Sequence, residues 1–295
     1  MRPSAAFPRL AAERKFNDYA RFIRHGTKVL QFTWNHPANK KKRMQALIRL
    51  ARFQARGRLL GKPTPARLGK YSTISAVLHR SGSAKVLYAN PPDHSEMLVW
   101  RRHIQPGDLF LDVGANVGTY SIWVGELGAE IIAIEPAEDT FSLLWDNIKL
   151  NQHNITPLQV AAGAQNGFLR FTVGRDCVNR IDPRGAAEIR VLTIDSIIGD
   201  RTASGMKVDV EGFEIDVLRG SARALSDHRI RLIQLEWNGT SKLAVGTDRR
   251  PVAELLTGYG YSLYRPADDG TLVPLSDQGV GPDVFAKPNP RPSNR

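Results

Sequence analysis

The chain has 295 residues, 42% of them hydrophobic, which is enough for one substantial core and a smaller appendage. No run approaches the roughly 18 unbroken apolar residues of a membrane span, and the N-terminus has no apolar signal segment, so the sequence predicts a cytoplasmic protein. The single cysteine, Cys177, excludes an internal disulfide and a cysteine-based metal cluster.

The positive charge is concentrated at the N-terminus. Residues 1–70 contain 18 lysines and arginines against two acids, a balance of +16, whereas residues 71–295 contain 23 against 27, a balance of −4. This asymmetry predicts a basic, largely helical N-terminal extension over residues 1–70. A solvated helical cap is the favoured interpretation, and contact with RNA, an anionic membrane or an acidic substrate is the alternative.

Two helices are predicted within this extension. The first covers residues 11–23, and the second starts near Asn39 and ends before Gly61. Apolar residues recur at helical spacing in the second helix, and we expect this stripe to dock on the neighbouring domain rather than on a membrane or nucleic acid. The stripe consists of Met44, Leu47, Ile48, Ala51 and Ala55.

Residues 71–107 are predicted to lead into the core as a hairpin followed by a helix. Short strands are expected at 73–78 and 84–88, on either side of a Ser-Gly-Ser turn, because both runs are rich in β-branched and apolar residues. A helix from His94 to His103 then ends before Pro106-Gly107.

From Asp108 the sequence alternates between strands and helices, which predicts a doubly wound, mostly parallel α/β sheet over residues 108–287. Residues 288–295 are expected to be a disordered tail. Two strands at 168–173 and 188–193 form an inserted hairpin, and strands at 260–264 and 283–286 complete the sheet. The other strands are expected at 109–113, 130–135, 155–161, 206–210 and 231–236, and helices after Gly118 and at 141–150, 214–225 and 251–258.

The turn after the first core strand indicates the cofactor. A dinucleotide fingerprint needs three closely spaced glycines, but here Gly114 and Gly118 flank Asn116 at the middle position. Asp112 at the strand end would repel a pyrophosphate and suits a ligand that carries an ammonium or sulfonium group. The turn therefore favours S-adenosylmethionine over NAD.

The ends of the next two strands are predicted to hold the adenosine half of that ligand. Glu135 follows Gly114 by 21 residues, where a carboxylate can accept hydrogen bonds from both ribose hydroxyls. Pro136 then turns the chain into the following helix. Ala162 has a small side chain that would let an adenine ring lie flat against the backbone, although small residues at strand ends also serve packing.

Several segments resemble the FkbM family of S-adenosylmethionine-dependent methyltransferases over roughly residues 96–287. They are Leu111–Gly118, Ile134-Glu135-Pro136, Asn147–Asn151, Val191–Asp195 and Lys207–Glu214 with Val217–Gly220. The resemblance implies a class I methyltransferase, Rossmann-like fold with a seven-stranded sheet, its final strand antiparallel, and methyl transfer to a hydroxyl of a sugar or natural product. Of the Asn-x-Gly element that the family often shows in the inserted hairpin, only Asn179 remains, as an acceptor-facing candidate.

Lys207, Asp209 and Glu211 are the catalytic candidates. Strand alternation would place them on one side of the fourth core strand, near the ligand-binding edge of the sheet. Methyl transfer to a hydroxyl needs a base, and Asp209 is the first choice and Glu211 the second. Lys207 either keeps Asp209 ionised or is a paired strand lysine, and Glu211 has the alternative role of a helix-start carboxylate. Glu214 is expected to be a solvated helix-start acid.

Glu236 and Asn238, at the end of the fifth core strand, are candidates for acceptor binding. With Asp209 they would form an oxygen-only set of the kind that holds Mg²⁺. The spacing is not diagnostic, so a divalent cation is not favoured and the metal stays unassigned. Without it, Glu236 would hydrogen-bond to substrate or backbone.

The sequence thus predicts an S-adenosylmethionine-dependent methyltransferase that O-methylates a sugar-containing or natural-product acceptor. One alternative is an RNA methyltransferase that binds RNA through residues 1–70. The other is a non-catalytic module that docks on a membrane or a protein partner. The sequence assigns neither the particular acceptor nor the oligomeric state.

Overall fold

The computed structural model describes residues 26–78, 81–171, 184–236, 250–275 and 283–290. The predicted helix at 11–23, Cys177, Asn179 and Asn238 lie outside these residues. Helix α1 covers 26–35 and a short 3₁₀ turn, Pro37–Asn39, leads to α2, Arg43–Leu60. No helix in the described part of the chain combines the length and apolar character needed to cross a bilayer.

A hairpin precedes the core, but it lies earlier than predicted. Strands β1 (Thr64–Leu68) and β2 (Ser72–Ala76) pair antiparallel, with Thr64 opposite Ala76. The carboxylate of Glu126 accepts hydrogen bonds from the backbone N–H groups of Lys70, Tyr71 and Ser72 and so ties the hairpin turn to the core. The predicted division at residue 70 falls inside this turn.

The strand predicted at 84–88 is wrong, because these residues belong to helix α3, Ser81–Tyr88. Ala84, Val86, Leu87 and Tyr88 are all buried. Such a short apolar run fits a buried helix as well as a strand, and its periodicity cannot separate the two. Helix α4 follows at His94–His103, as predicted.

Helix α2 docks on the core as predicted, but largely through a different face. Of the predicted stripe, only Leu47 packs against the core cluster; Met44, Ile48, Ala51 and Ala55 are exposed, and α2 buries the opposite face instead. The buried residues on that face are Ala46, Leu50, Phe53 and Gly57. At Gly57 an added Cβ would lie 3.1 Å from Leu78, so the glycine permits the close approach. Because α2 carries apolar residues on two faces, helical periodicity alone does not tell which face docks.

The main sheet, within the described ranges, has eight strands: β3 Leu109–Val113, β4 Glu130–Ile134, β5 Ile155–Leu158, β9 Gly205–Val208, β10 Ile233–Glu236, β11 Tyr261–Pro266, β12 Leu272–Pro274 and β13 Asp283–Pro288. Their spatial order is β12-β11-β13-β10-β9-β3-β4-β5. Strands β5, β4, β3, β9 and β10 are parallel neighbours, and β13 is antiparallel to both β10 and β11. The predicted doubly wound, mostly parallel sheet is confirmed, and β12 adds an edge strand to the expected seven.

The third predicted core strand divides between two sheets. Residues 155–158 stay in the main sheet as β5, whereas β6 (Ala161–Ala162) pairs in parallel with β8 (Ala187–Leu192). Strand β7 (Gly167–Phe171) pairs antiparallel with β8, which is the inserted hairpin that the sequence predicted.

Helices cover both faces of the main sheet. Those after β3 are α5 Thr119–Gly125, α6 Glu138–Lys149, α7 Ile194–Ile198, α8 Glu214–Arg219, α9 Ala222–Ser226 and α10 Arg250–Gly258. The segment predicted as one helix at 214–225 divides into α8 and α9 at Gly220. One hydrophobic cluster contains α2, α3, α4, α5 and the β1–β2 hairpin, so the segment from α2 to α4 packs on the core. The other cluster contains α7 to α10.

Candidate active site

The predicted acids meet at the carboxyl edge of the sheet, where parallel strands end together. Val113 is opposite Val208, and Val208 is opposite Leu235, so the residues that follow β3, β9 and β10 are neighbours. Asp112, Glu135, Asp209 and Glu236 lie at or beside these strand ends. The structure therefore brings the predicted cofactor and catalytic candidates to one edge.

The turn after β3 is built from left-handed residues. Gly114, Asn116 and Gly118 have φ values of 80°, 51° and 89°. A Cβ on Gly114 would collide with the backbone carbonyl oxygen of Asp209, so only glycine permits this approach of the two loops. Asn116 supports its own conformation, since its side-chain Oδ1 accepts a 2.8 Å hydrogen bond from the N–H of Val117.

Asp112 is buried beneath this turn and is 1% exposed. Its Oδ2 accepts a 2.6 Å hydrogen bond from Ser121 Oγ, while its Oδ1 has no hydrogen-bond partner among the described residues. Burial raises the pKa of Asp112, and the nearby Lys207 ammonium opposes that shift. Buried carboxylate oxygens rarely lack a donor. Asp112 therefore fits a ligand that brings a positively charged donor, such as the ammonium of S-adenosylmethionine.

Glu135 joins the loops after β3 and β4. Its Oε2 accepts a 3.0 Å hydrogen bond from the N–H of Asn116, and its Oε1 accepts a 2.9 Å bond from the N–H of Ala137, just beyond Pro136. Burial raises the pKa of Glu135 to about 7, against the effect of these two donors. Each carboxylate oxygen can accept more than one hydrogen bond, so acceptance of ribose hydroxyls is compatible with both contacts. Sequence reasoning missed this bridging role.

We expect Glu135→Ala to weaken S-adenosylhomocysteine binding by about 1–3 kcal/mol, because it removes charge-assisted hydrogen bonds and frees the turn after β3. Glu135→Gln keeps one acceptor oxygen and should lose less. Isothermal titration measures both affinities. Glu138→Ala, at an exposed position at the start of α6, is the control and should bind as the wild type does. Wild-type affinity in Glu135→Ala would contradict the assignment.

Ala162 lies in β6 and is buried in the cluster on the α7–α10 side of the sheet. The next residue, Gly163, donates its N–H to the carbonyl of Leu192. Packing between β6 and β8 accounts for the small side chain, and a contact of Ala162 with adenine stays a prediction.

Lys207 and Asp209 form an ion pair, with Nζ 2.9 Å from Oδ2. The Lys207 side chain is 6% exposed and its Nζ lies 4.7 Å from the centre of the Tyr120 ring, while Asp209 is 28% exposed. Burial alone would raise the pKa of Asp209, but the Lys207 ammonium and hydrogen bonds from Glu236 and Lys207 lower it overall. Asp209 is therefore an ionised, partly accessible carboxylate at the edge of the sheet.

Glu211 does not follow the predicted alternation. Strand β9 ends at Val208, and Glu211 adopts a left-handed conformation with φ 52° in the loop before α8. Glu214, expected to be solvated, is 4% exposed, so that prediction is wrong. Its Oε1 accepts a 2.9 Å hydrogen bond from the N–H of Gly212. The carboxylate therefore fixes the loop that connects Asp209 to α8.

Asp283 is an acid that sequence reasoning missed. It begins β13 opposite Glu236, which places it at the same edge. Burial raises its pKa to about 8, and the neighbouring acids Glu96 and Asp93 add to the shift. The signal was present in the sequence, because the first residue of a final antiparallel strand lies at the carboxyl edge of the parallel strands.

The N-terminal region also borders this edge. The Thr119 hydroxyl donates a 3.1 Å hydrogen bond to the carbonyl of Gly82, and a Cβ on Gly82 would lie 2.8 Å from Asn116 Oδ1. Lys85 Nζ, on α3, lies 3.9 Å from Asp93 Oδ1. The acids Asp93, Glu236 and Asp209 raise the pKa of Lys85. Helices α3 and α4 thus add charged groups beside the predicted catalytic pair.

Within the described ranges, no group of three His, Cys, Asp or Glu side chains is placed to hold a metal ion. The oxygen-only set considered for Mg²⁺ in the sequence included Asn238, which falls outside those ranges. The roles of Glu236, Asn238 and Asn179 in acceptor binding stay predictions.

The strand order, the glycine turn after β3 and the acids at the neighbouring strand ends define a class I methyltransferase domain. The profile of the methyltransferase FkbM domain matches residues 112–263, slightly more than half of the chain. The chain belongs to the FkbM methyltransferase family, which confirms the resemblance seen in its motifs.

Known proteins show further likenesses. The chain is 26% identical over 156 residues to the hexuronic acid methyltransferase AglP of Haloferax volcanii, covering 51% of this chain and 62% of that protein. The chain therefore spans less than two thirds of that relative's length. Among solved structures it is similar to precorrin-6y C5,15-methyltransferase from Geobacter metallireducens, with TM-score 0.42 and 12% identity; the match covers 73% of this chain and 93% of that chain. It is also similar to magnesium protoporphyrin IX methyltransferase from Synechocystis with bound SAM, with TM-score 0.40 and 14% identity; the match covers 66% of this chain and 80% of that chain.

Proposed function

We propose that the protein transfers the methyl group of S-adenosylmethionine to a hydroxyl of a sugar-containing acceptor, with Asp209 as the base. The observation that carries this proposal is the Lys207–Asp209 pair, which holds an ionised carboxylate next to the glycine turn after β3. A sugar acceptor is supported by the relative whose name states that it methylates a hexuronic acid.

The cofactor, when bound, supplies a methyl group on a positively charged sulfur. Asp112 would pair with the ammonium of the ligand through its Oδ1, and Glu135 would accept hydrogen bonds from the ribose. Asp112 lies at the end of β3 and Glu135 follows β4, and the hydrogen bond from the Asn116 N–H to Glu135 joins these two strand ends, so the two carboxylates can orient one ligand.

Asp209 would accept the proton of the acceptor hydroxyl as the new carbon–oxygen bond forms. Lys207 keeps Asp209 ionised before the reaction. A hydrogen bond between the carboxyl groups of Asp209 and Glu236 requires the proton to sit on Glu236, which leaves Asp209 as the ionised partner that can take the proton of the acceptor. Glu236 and Asp283 would also offer oxygens to further hydroxyls of a sugar ring.

We expect turnover of S-adenosylmethionine to S-adenosylhomocysteine only when a suitable sugar acceptor is added. The assay compares free hexuronic acids, neutral hexoses and a short RNA, each with S-adenosylmethionine labelled in its methyl group. Label recovered in a base-stable methyl ether of the sugar supports the proposal. Label transferred to RNA, or titration heat with NAD and none with S-adenosylhomocysteine, would overturn it.

A further inference from the structure

The outward face of α2 carries an exposed apolar stripe. Five residues spaced at three, four or seven positions share this face and are all exposed: Met44, Ile48, Ala51, Ala55 and Leu59. The largest of them, Met44, Ile48 and Leu59, are 63%, 48% and 83% exposed. We call this set the outer stripe. Because α2 already docks on the core through its opposite face, burial of the outer stripe would need a contact with something else.

The outer stripe lies in a strongly cationic region. Residues 26–70 contain twelve lysines and arginines and no acid. Arg52, Arg56 and Arg58 are exposed on α2 beside the stripe. An apolar stripe flanked by arginines is the pattern of a helix that lies in the interface of an anionic membrane, where long cationic side chains reach the headgroups.

A groove of about 460 Å³ runs along the same helix, between α2, α3 and β1. Three arginines spaced one turn apart line it, Arg49, Arg52 and Arg56, and Ile48 of the outer stripe also contributes. Thr64 lines the groove as well, and its Oγ1 is buried without a hydrogen-bond partner among the described residues. Arg49 already donates hydrogen bonds to the carbonyls of Leu87 and Tyr88. The guanidinium groups of Arg52 and Arg56, with the Thr64 hydroxyl, are the donors that match the acceptor oxygens of a phosphate group.

We propose that α2 docks on an anionic phospholipid surface, with the outer stripe among the acyl chains and a lipid phosphate in the arginine groove. The stripe and the groove share Ile48, so one lipid surface can satisfy both at once. RNA would use the arginines but would leave Met44, Ile48 and Leu59 in water. A second copy of this chain would bring one +12 region against another, and residues 1–25, with six basic and two acidic residues, have the same sign as α2.

Flotation of the full chain with lipid vesicles tests this docking. We expect the protein to float with vesicles of equal parts phosphatidylcholine and phosphatidylglycerol, and not with phosphatidylcholine alone, and to be released as salt rises. Met44→Ser with Ile48→Ser should reduce partitioning by on the order of tenfold or more, because two inserted apolar side chains are lost. Arg52→Glu with Arg56→Glu should reduce it at least as much.

Matched variants on the inserted hairpin and just after α6 control for general surface effects. Phe168→Ser with Leu150→Ser removes two exposed apolar residues, and Arg170→Glu with Arg190→Glu reverses two exposed charges. Both controls should float as the wild type does. S-adenosylhomocysteine titration and thermal melting check that every variant is folded, and neither measurement depends on turnover.

Three outcomes would overturn the docking proposal. The first is a wild-type chain that fails to float with anionic vesicles. The second is a stripe variant that floats as well as its control while the arginine variant does not, which would indicate a purely electrostatic polyanion site. The third is a labelled single-stranded RNA that binds more tightly than the vesicles and is insensitive to the stripe variant.

Discussion

Asp209→Asn should lower kcat for methyl transfer by about 100-fold to 10,000-fold, while S-adenosylhomocysteine affinity changes little. Asparagine has the same shape and can accept the Lys207 hydrogen bond, but it cannot take up the proton of the acceptor hydroxyl. Steady-state kinetics with the acceptor found by the labelling assay measures the effect. Asp216→Asn, in α8 and paired with Arg219 on the surface, is the matched control.

The same variant leaves the buried Lys207 without its counter-charge, so loss of stability must be separated from loss of chemistry. Lys207→Met tests the role of Asp209 independently, through the pH dependence of kcat/KM. Since Lys207 lowers the pKa of Asp209, its removal raises that pKa, and the base becomes ionised only at higher pH. The acidic limb of the kcat/KM profile should therefore move to higher pH in Lys207→Met. An unmoved limb, or a kcat near wild type in a folded Asp209→Asn protein, would show that Asp209 is not the base.

Gly114→Ala should abolish measurable S-adenosylhomocysteine binding and destabilise the fold by about 3 kcal/mol or more. The new Cβ would meet the backbone carbonyl oxygen of Asp209, and this backbone cannot move easily because the Asp209 N–H donates a 2.9 Å hydrogen bond to Val113. The residue also has a φ of 80°, which alanine adopts only with strain. Thermal melting and isothermal titration measure the two effects.

Gly107→Ala measures the effect of backbone strain without a steric clash of the added Cβ. Gly107 has a φ of 84°, close to that of Gly114, but an added Cβ there has no atom within 4 Å. This control should lose only the strain contribution, about 1–2 kcal/mol, and should retain ligand binding. Equal losses in the two variants would mean that the approach of the two loops at Gly114 is not what the site depends on.

The core of the fold was predictable because its signals are local and repeated. Strands β3, β4 and β9 are short, almost entirely buried runs, each followed by a helix, and this alternation admits few topologies. The edge strand β12 was not predicted, since three residues, Leu272–Pro274, give no pattern. Strand β1 was missed for a related reason: its Thr64-Pro65 start reads as a turn rather than a strand.

The candidate site was predictable where a residue ends a strand, as Asp112, Glu135 and Asp209 do. It was not predictable where the site depends on contacts between distant segments. The bond from Asn116 to Glu135, the approach of Gly82 to Asn116 and the position of Lys85 all require the folded chain. The exposure of the outer stripe was also not predictable from sequence, because α2 has two apolar faces and the neighbouring elements decide which of them is buried.

The turn between β1 and β2 has a consequence for how the chain can be divided. Glu126 of the core accepts hydrogen bonds from three successive N–H groups of this turn and from the Ser72 hydroxyl. A chain cut at residue 70 would keep β2 but lose the partner strand, and would uncover the core face that Leu50 and Phe53 protect. Helix α2 and strand β1 therefore belong to the same folding unit as the methyltransferase core, and their removal would destabilise it.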